Sequence, residues 1–271
     1  MAKNERKKKH KVWKIVIIVL VVLIVGIGAG GYIAYRIFGS QVLTVYLSTK
    51  PGNKAEYAPE NAEVYEDSPL RGKTIIFLGS SVTEGYGACG TSFVQYFEAQ
   101  DGVIPIEEAV SSTTLVNNGD TSYIPRMESI DQTIQADAFV CQLSTNDATR
   151  GLPMGEISDS FDRNDFDTTT IAGAIEYIIS YASETWNCPV IFYTGSKYDS
   201  DAYSEMVELL LEIQEKWDIG VIDMWDDEEF NDITSADREI YMLDGIHPTK
   251  IGYRDWWTPY MREYLISYLS E

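Results

Sequence analysis

Histidine is almost absent from this chain, with two in 271 residues, and that scarcity narrows the available chemistry. No Cys or His falls at zinc-ligand spacing, which argues against a zinc site. Cysteine is nearly as rare. Cys89, Cys141 and Cys188 are too few for a disulfide scaffold, and a location outside the cell permits one bridge with a thiol left over. Cys141, inside the apolar run AFVCQL, reads as a core residue, and nothing in the sequence pairs the other two. Basic charge is missing where nucleic-acid binding needs it. From Gly39 onward 13 Lys/Arg face 41 Asp/Glu, a formal charge of −28, which disfavours a polyanionic partner. The excess acid reads as solvated surface that keeps the region soluble. There is no internal repeat, no low-complexity segment and no signal of oligomeric state.

The basic charge that exists is concentrated at the start. MAKNERKKKHKVWK carries seven Lys/Arg against one Glu and runs into IVIIVLVVLIVGIGAGGYIA, twenty residues without a charge. At about 1.5 Å per residue that run spans roughly 30 Å, the thickness of a bilayer core. Trp13 stands at one edge, and Tyr32, Tyr35 and Arg36 at the other, as interfacial anchors do. The expectation is a cytoplasmic tail over 1–14, a transmembrane helix over 15–38, and everything beyond it outside the cell. The rival is a cleaved signal peptide, whose apolar core is shorter and which needs a small-x-small cleavage site. GAGG offers only a faint one.

Residues 39–70, rich in Pro, Gly and acid, read as a stalk or as a lead-in strand and loop, and a folded domain is expected over 71–271. Short apolar runs at 73–79, 103–110, 138–144, 189–195 and 220–224 read as strands. Helical stretches fall at 92–100, around RMESIDQTI, at 168–186, at 202–217 and from Lys250 to Leu269. Such alternation predicts an α/β fold: a three-layer α/β/α sandwich around a mainly parallel five-stranded sheet. In such folds a site lies at the carboxyl ends of the strands.

The first strand ends in TIIFLGSSVTEG. A serine hydroxyl needs a base to become a nucleophile, and histidine is the usual one. His10 belongs to the basic tail, so His247 is the histidine left by elimination. It stands in YMLDGIHPTKIGY, three residues after Asp244, which can reach the ring nitrogen facing away from a serine. The plainer reading is a turn into a helix, with Asp244 and Thr249 as caps. A third strand ends in LSTND, where Asn146 can offer its amide to an oxyanion.

A strand ending GSSVTEG, a second ending AVSS, a third ending STND and a late DGIHP together resemble the blocks of the SGNH or GDSL hydrolase family, over roughly residues 71–271. The resemblance implies a flavodoxin-like sheet and a serine esterase with Ser81 as nucleophile, His247 as base and Asp244 as its partner. The oxyanion donors it implies are the backbone of Ser81, the backbone of Ser112 and the side chain of Asn146. The helix after Ser81 would add its positive N-terminal end. Three positions depart from the family pattern: Ser80 replaces the usual Asp, Ser112 stands where the second block has Gly, and Ser144 where the third begins with Gly. The first leaves open which of the two serines attacks. The implied substrates are acyl or acetyl esters on envelope glycans or lipids, with no cofactor and no metal.

GYGACG at 85–90 matches G-x-G-x-x-G, but SSVTE separates it from the strand end where a dinucleotide fingerprint starts. GIGAGG at 26–31 lies in the membrane segment, where small residues serve helix packing. An ordinary α/β-hydrolase elbow needs glycine where Thr83 stands. DSFDRNDFD and WDDEEFND lack the spacing and turn glycine of a calcium loop and read as solvated loops, with weak cation binding as the lesser alternative. A different class is an inactive hydrolase fold used as an extracellular binding module. Keeping Ser81, Asp244 and His247 together argues against it.

Overall fold

Four apolar runs and one mixed run, each too short for a helix that could bury all its sides, form one parallel sheet in the computed structural model, which describes residues 42–270. The strands are β1 (Thr74–Gly79), β2 (Ile104–Ala109), β3 (Ala138–Gln142), β4 (Val190–Tyr193) and β5 (Gly220–Ile222), in the order β2-β1-β3-β4-β5. Every neighbouring pair is parallel. β1, β3 and β4 are buried on both faces, which explains why they read as continuous rather than alternating hydrophobics. β2 lies at the edge. It carries Pro105, Glu107 and Glu108, residues that blunt an exposed strand, and Ile104 is half exposed.

Alternate side chains feed two cores. Ile76, Leu78, Phe139, Cys141 and Phe192 pack with α5 (Ile171–Trp186) and α6 (Asp201–Trp217), through residues such as Ile175, Ile179, Met206 and Leu210. Ile75, Phe77, Val140, Ile191 and Tyr193 face the other way, onto Phe93, Phe97 and the C-terminal helix Thr258–Tyr268 with Met261 and Leu265. Helices on both faces make the three layers. The long helices start and stop where local chemistry dictates. Thr170 and Ser200 accept the N-terminal N–H groups of Gly173 and Tyr203, and Asn187 and Asp218 close the other ends in the left-handed region.

Two expectations shift. The short helix placed around RMESIDQTI lies earlier, as α3 (Tyr123–Glu128), because Asp131 folds its side chain onto the Thr133 N–H and makes a turn there. Among the described residues the lead-in to the domain holds no strand: it forms single 3-10 turns at Pro51–Asn53, Ala55–Tyr57 and Pro59–Asn61, with Gly52 and Asn53 buried. Among the described residues, those from 42 to 47 belong to a separate unit. The expected tail and apolar segment, 1–38, lie outside the described residues, and among the described residues no helix is long and apolar enough to cross a membrane. The strand order reverses between β1 and β3, so their carboxyl ends flank a crevice.

Candidate active site

The two serines after β1 point in opposite directions. Ser80 is fully buried, and its N–H and hydroxyl both donate to Oε1 of Gln142 at the end of β3, at 2.9 and 3.3 Å. Thr83 donates to the same oxygen at 2.9 Å and shares a 2.6 Å hydrogen bond with the Tyr193 hydroxyl. Ser81 opens α1 (Ser81–Glu84) and turns outward, with Oγ 2.8 Å from Nε2 of His247. That helix has only four residues before Gly85 caps it in the left-handed region, so the expected macrodipole is reduced to a single turn.

His247 rides on a tight loop closed by the Leu243 N–H on the His247 carbonyl, 2.8 Å, and by an antiparallel bridge between Met242 and Pro248. Asp244 shapes that loop. Its Oδ1 accepts the backbone N–H groups of Ile246 and His247 at 2.8 and 2.9 Å, and its carboxylate lies 2.9 to 3.0 Å from Nδ1 of His247. Partial burial pushes the Asp244 carboxyl up, but the bonds from the imidazole and the two backbone N–H groups, with the charge on His247, outweigh it and hold the group down at about 2. Asp244 is therefore ionised at neutral pH. The plainer reading of this stretch holds as well: Thr249 caps the following turn by accepting the Gly252 N–H, and the turn-forming Asp also orients the ring. The Tyr86 ring packs at 5.1 Å from the imidazole, so GYGACG forms a wall of the crevice.

Asn146 meets the loop carrying Ser112 at Thr113, the residue after Ser112. The Asn146 side-chain amide donates to the Thr113 carbonyl at 2.8 Å, which uses one of its two N–H groups. Ser144, the departure in the third block, caps α4 (Thr145–Thr149) by accepting the Asn146 N–H and also donates to the Thr113 carbonyl. Glu84 ties this loop to the helix carrying Ser81, accepting both the N–H and the hydroxyl of Ser111. Ser112 sits at φ +64°, a conformation that glycine adopts freely and serine does not. Ser112→Gly is accordingly expected to stabilise the fold by up to about 1 kcal/mol, a rise of roughly 2–4 °C in Tm for a domain of this size. A drop in Tm on thermal unfolding would mean that the serine side chain outweighs the backbone strain.

Several residues of this constellation carry no sequence signal. Arg126, buried in α3, donates to the carbonyls of Gly79, Glu108 and Thr121 and to the Thr113 hydroxyl, at 2.8 to 3.0 Å. Asp147 lies buried beneath the loop and accepts the N–H groups of Leu115 and Val116 at 2.9 and 3.0 Å; burial raises its pKa against those bonds. The acidic runs serve local turns: Asp162 and Asp227 accept the N–H groups of Asn164 and Phe230.

The sequence model of the GDSL-like lipase/acylhydrolase family matches residues 77–254. No curated protein matches the chain. Among solved structures, a protein from Lactobacillus plantarum is similar at 21% identity and TM-score 0.59, over 74% of this chain and 98% of that one. A member of the lipolytic G-D-S-L family from Veillonella parvula is similar at 21% identity and TM-score 0.52, over 73% and 99%. A variant of an acetyl-xylooligosaccharide esterase from Geobacillus is similar at 16% identity and TM-score 0.50, over 74% and 95%. At these identities the structural likeness speaks to the fold.

Proposed function

Since the chain belongs to the GDSL-like lipase/acylhydrolase family, we propose that it is a serine esterase that cleaves acyl or acetyl esters by way of Ser81, His247 and Asp244. The observation that carries this reading is the unbroken line of bonds from Ser81 Oγ to His247 Nε2, 2.8 Å, and from His247 Nδ1 to Asp244, 2.9 Å. In the first step Ser81 Oγ attacks the ester carbonyl carbon while its proton passes to Nε2, and the carbonyl electron pair moves onto oxygen. The Ser81 and Ser112 N–H groups and the second N–H of Asn146 receive that oxyanion, each such donor being worth about 3–4 kcal/mol of barrier. Asp244 stabilises the imidazolium. Collapse of the intermediate releases the alcohol, which takes the proton from His247, and leaves an acyl-Ser81. Water then repeats the sequence and frees the acid.

The basic tail and the uncharged run at 15–34 support a single-pass anchor with the N-terminus cytoplasmic and the esterase domain outside. Esters on envelope glycans or on lipids near the bilayer are the substrates within its reach. The acetylated oligosaccharide acted on by the Geobacillus relative supports the glycan ester as the first to try.

The full chain, in detergent, is expected to hydrolyse p-nitrophenyl acetate, butyrate or octanoate, and to be labelled by a fluorophosphonate at Ser81. The order of rates along that acyl series gives the chain length. No hydrolysis and no labelling by a protein that unfolds cooperatively would sink the esterase reading and favour the binding module.

A further inference from the structure

The lead-in segment reaches into the site. Asn53 is 3% exposed, and its amide bridges two backbones distant in sequence: Nδ2 donates to the Gly87 carbonyl at 2.8 Å, and Oδ1 accepts the Lys250 N–H at 2.9 Å. One partner stands against His247 and the other follows it in the chain. Gly87 follows Tyr86, whose ring packs on His247, and a Cβ at Gly87 would fall 2.5 Å from the Pro248 carbonyl oxygen and 3.0 Å from the His247 Cβ. Lys250 begins the helical turn three residues after His247. One carboxamide therefore links the wall behind the imidazole to the loop that carries it, in the way one peptide group pairs two neighbouring strands. The segment itself is firmly seated. The Tyr96 hydroxyl lies within hydrogen-bond reach of both the Tyr57 and Lys250 carbonyls, at 2.6 and 3.1 Å, and the Arg254 guanidinium lies 4.9 Å over the Tyr57 ring. Residues 51–61 fall outside the family match at 77–254, so this contact reaches the matched region from beyond it.

We propose that Asn53 is a positioning residue that fixes the His247 loop against the Tyr86 turn, making the lead-in segment part of the working site. The inference rests on the esterase reading for its kinetic consequence, and on geometry alone for its structural one. A shift of about 1 Å in a reacting group costs on the order of 100-fold in rate. In the full chain Asn53→Ala is expected to lower kcat by about 10- to 100-fold at a temperature well below its Tm, with KM within about twofold. Asn61→Ala, which removes a bond to the Ala55 carbonyl elsewhere in the same segment, is expected to leave kcat unchanged.

A second readout needs no turnover. With two histidines in the chain, 15N-histidine labelling gives two imidazole spin systems, and His247→Gln identifies the one from the site. Asn53→Ala is expected to move or broaden the His247 ring resonances, and Asn61→Ala to leave them in place. Lower Tm with unchanged kcat and unchanged ring resonances in Asn53→Ala overturns the proposal. Absence of ester hydrolysis by the parent chain overturns the esterase reading instead, while the resonances still decide whether Asn53 positions the ring.

Discussion

Ser81→Ala is expected to lower kcat on p-nitrophenyl acetate by about 10⁴- to 10⁶-fold, while Ser80→Ala stays within about tenfold of the parent. The difference follows from where each hydroxyl points. Ser81 Oγ is the atom on His247, so its removal deletes the attacking oxygen, and what remains is the contribution of binding and of the oxyanion donors. Ser80 Oγ is one of several donors on Gln142 Oε1 and the longer of the two from its own residue, 3.3 Å against 2.9 Å for its N–H. With Thr83 still donating to the same oxygen, the turn keeps its shape without that hydroxyl. Asp244→Asn is expected to fall between them, with a loss of up to about 10⁴-fold, because an amide favours the wrong imidazole tautomer and stabilises no imidazolium. Steady-state kinetics on proteins counted by their folded fraction check all three. Parent-like turnover in Ser81→Ala, or collapse in Ser80→Ala with an intact fold, would reverse the assignment of the two serines.

Strands and catalytic candidates were legible in the sequence for different reasons. β1, β3 and β4 announce themselves because a strand buried on both faces must be apolar along most of its length, and TIIFLG, AFVCQ and VIFY are, with Thr74 and Gln142 as polar ends. His247 is found by scarcity, and Asp244 by its three-residue separation from it. The structure brings Ser81, His247 and Asp244 into one line of bonds, and ties Asn146 to Thr113, the residue after Ser112. What escaped detection shares a physical character. Gln142, Arg126 and Asn53 act through partners 62, 47 and 197 residues away, and nothing in their immediate neighbours marks them. Polar residues of these types are common on surfaces, and only burial distinguishes them. The proline- and glycine-rich lead-in looked like a stalk for the same reason: composition reports that the backbone turns, not what the turns rest against. Ser144 is an intermediate case, since a serine before a short polar helix is a readable cap and its second bond, to the Thr113 carbonyl, is not.

Replacement of Arg126 by Met is expected to produce the largest loss of stability of any single change around the crevice, about 3–5 kcal/mol, or roughly 6–20 °C in Tm. The guanidinium is buried and lies 3.5 Å from the Glu108 carboxylate, and its N–H groups satisfy the carbonyls of Gly79, Glu108 and Thr121 together with the Thr113 hydroxyl. A methionine fills much of the space but takes a donor from every one of those acceptors; the Gly79 carbonyl keeps the Val110 N–H at 3.3 Å, and each buried acceptor left unsatisfied costs about 1–3 kcal/mol before relaxation. Lysine does not restore the site, because one ammonium cannot reproduce a planar fork directed at several acceptors at once. Arg126→Lys should therefore recover less than half of the lost stability. The consequence reaches the chemistry through Thr113, whose hydroxyl is held by Arg126 and whose carbonyl holds the amide of Asn146. If the Asn146 amide serves the oxyanion, Arg126→Met at a temperature where it is folded loses more than tenfold in kcat, a barrier increase above about 1.4 kcal/mol. Thermal unfolding and single-temperature kinetics on the same preparation separate the two effects. A Tm within 2 °C of the parent, on the order of 1 kcal/mol or less, would show that neighbouring N–H groups or water replace the guanidinium, and that the loop carrying Ser112 does not depend on it.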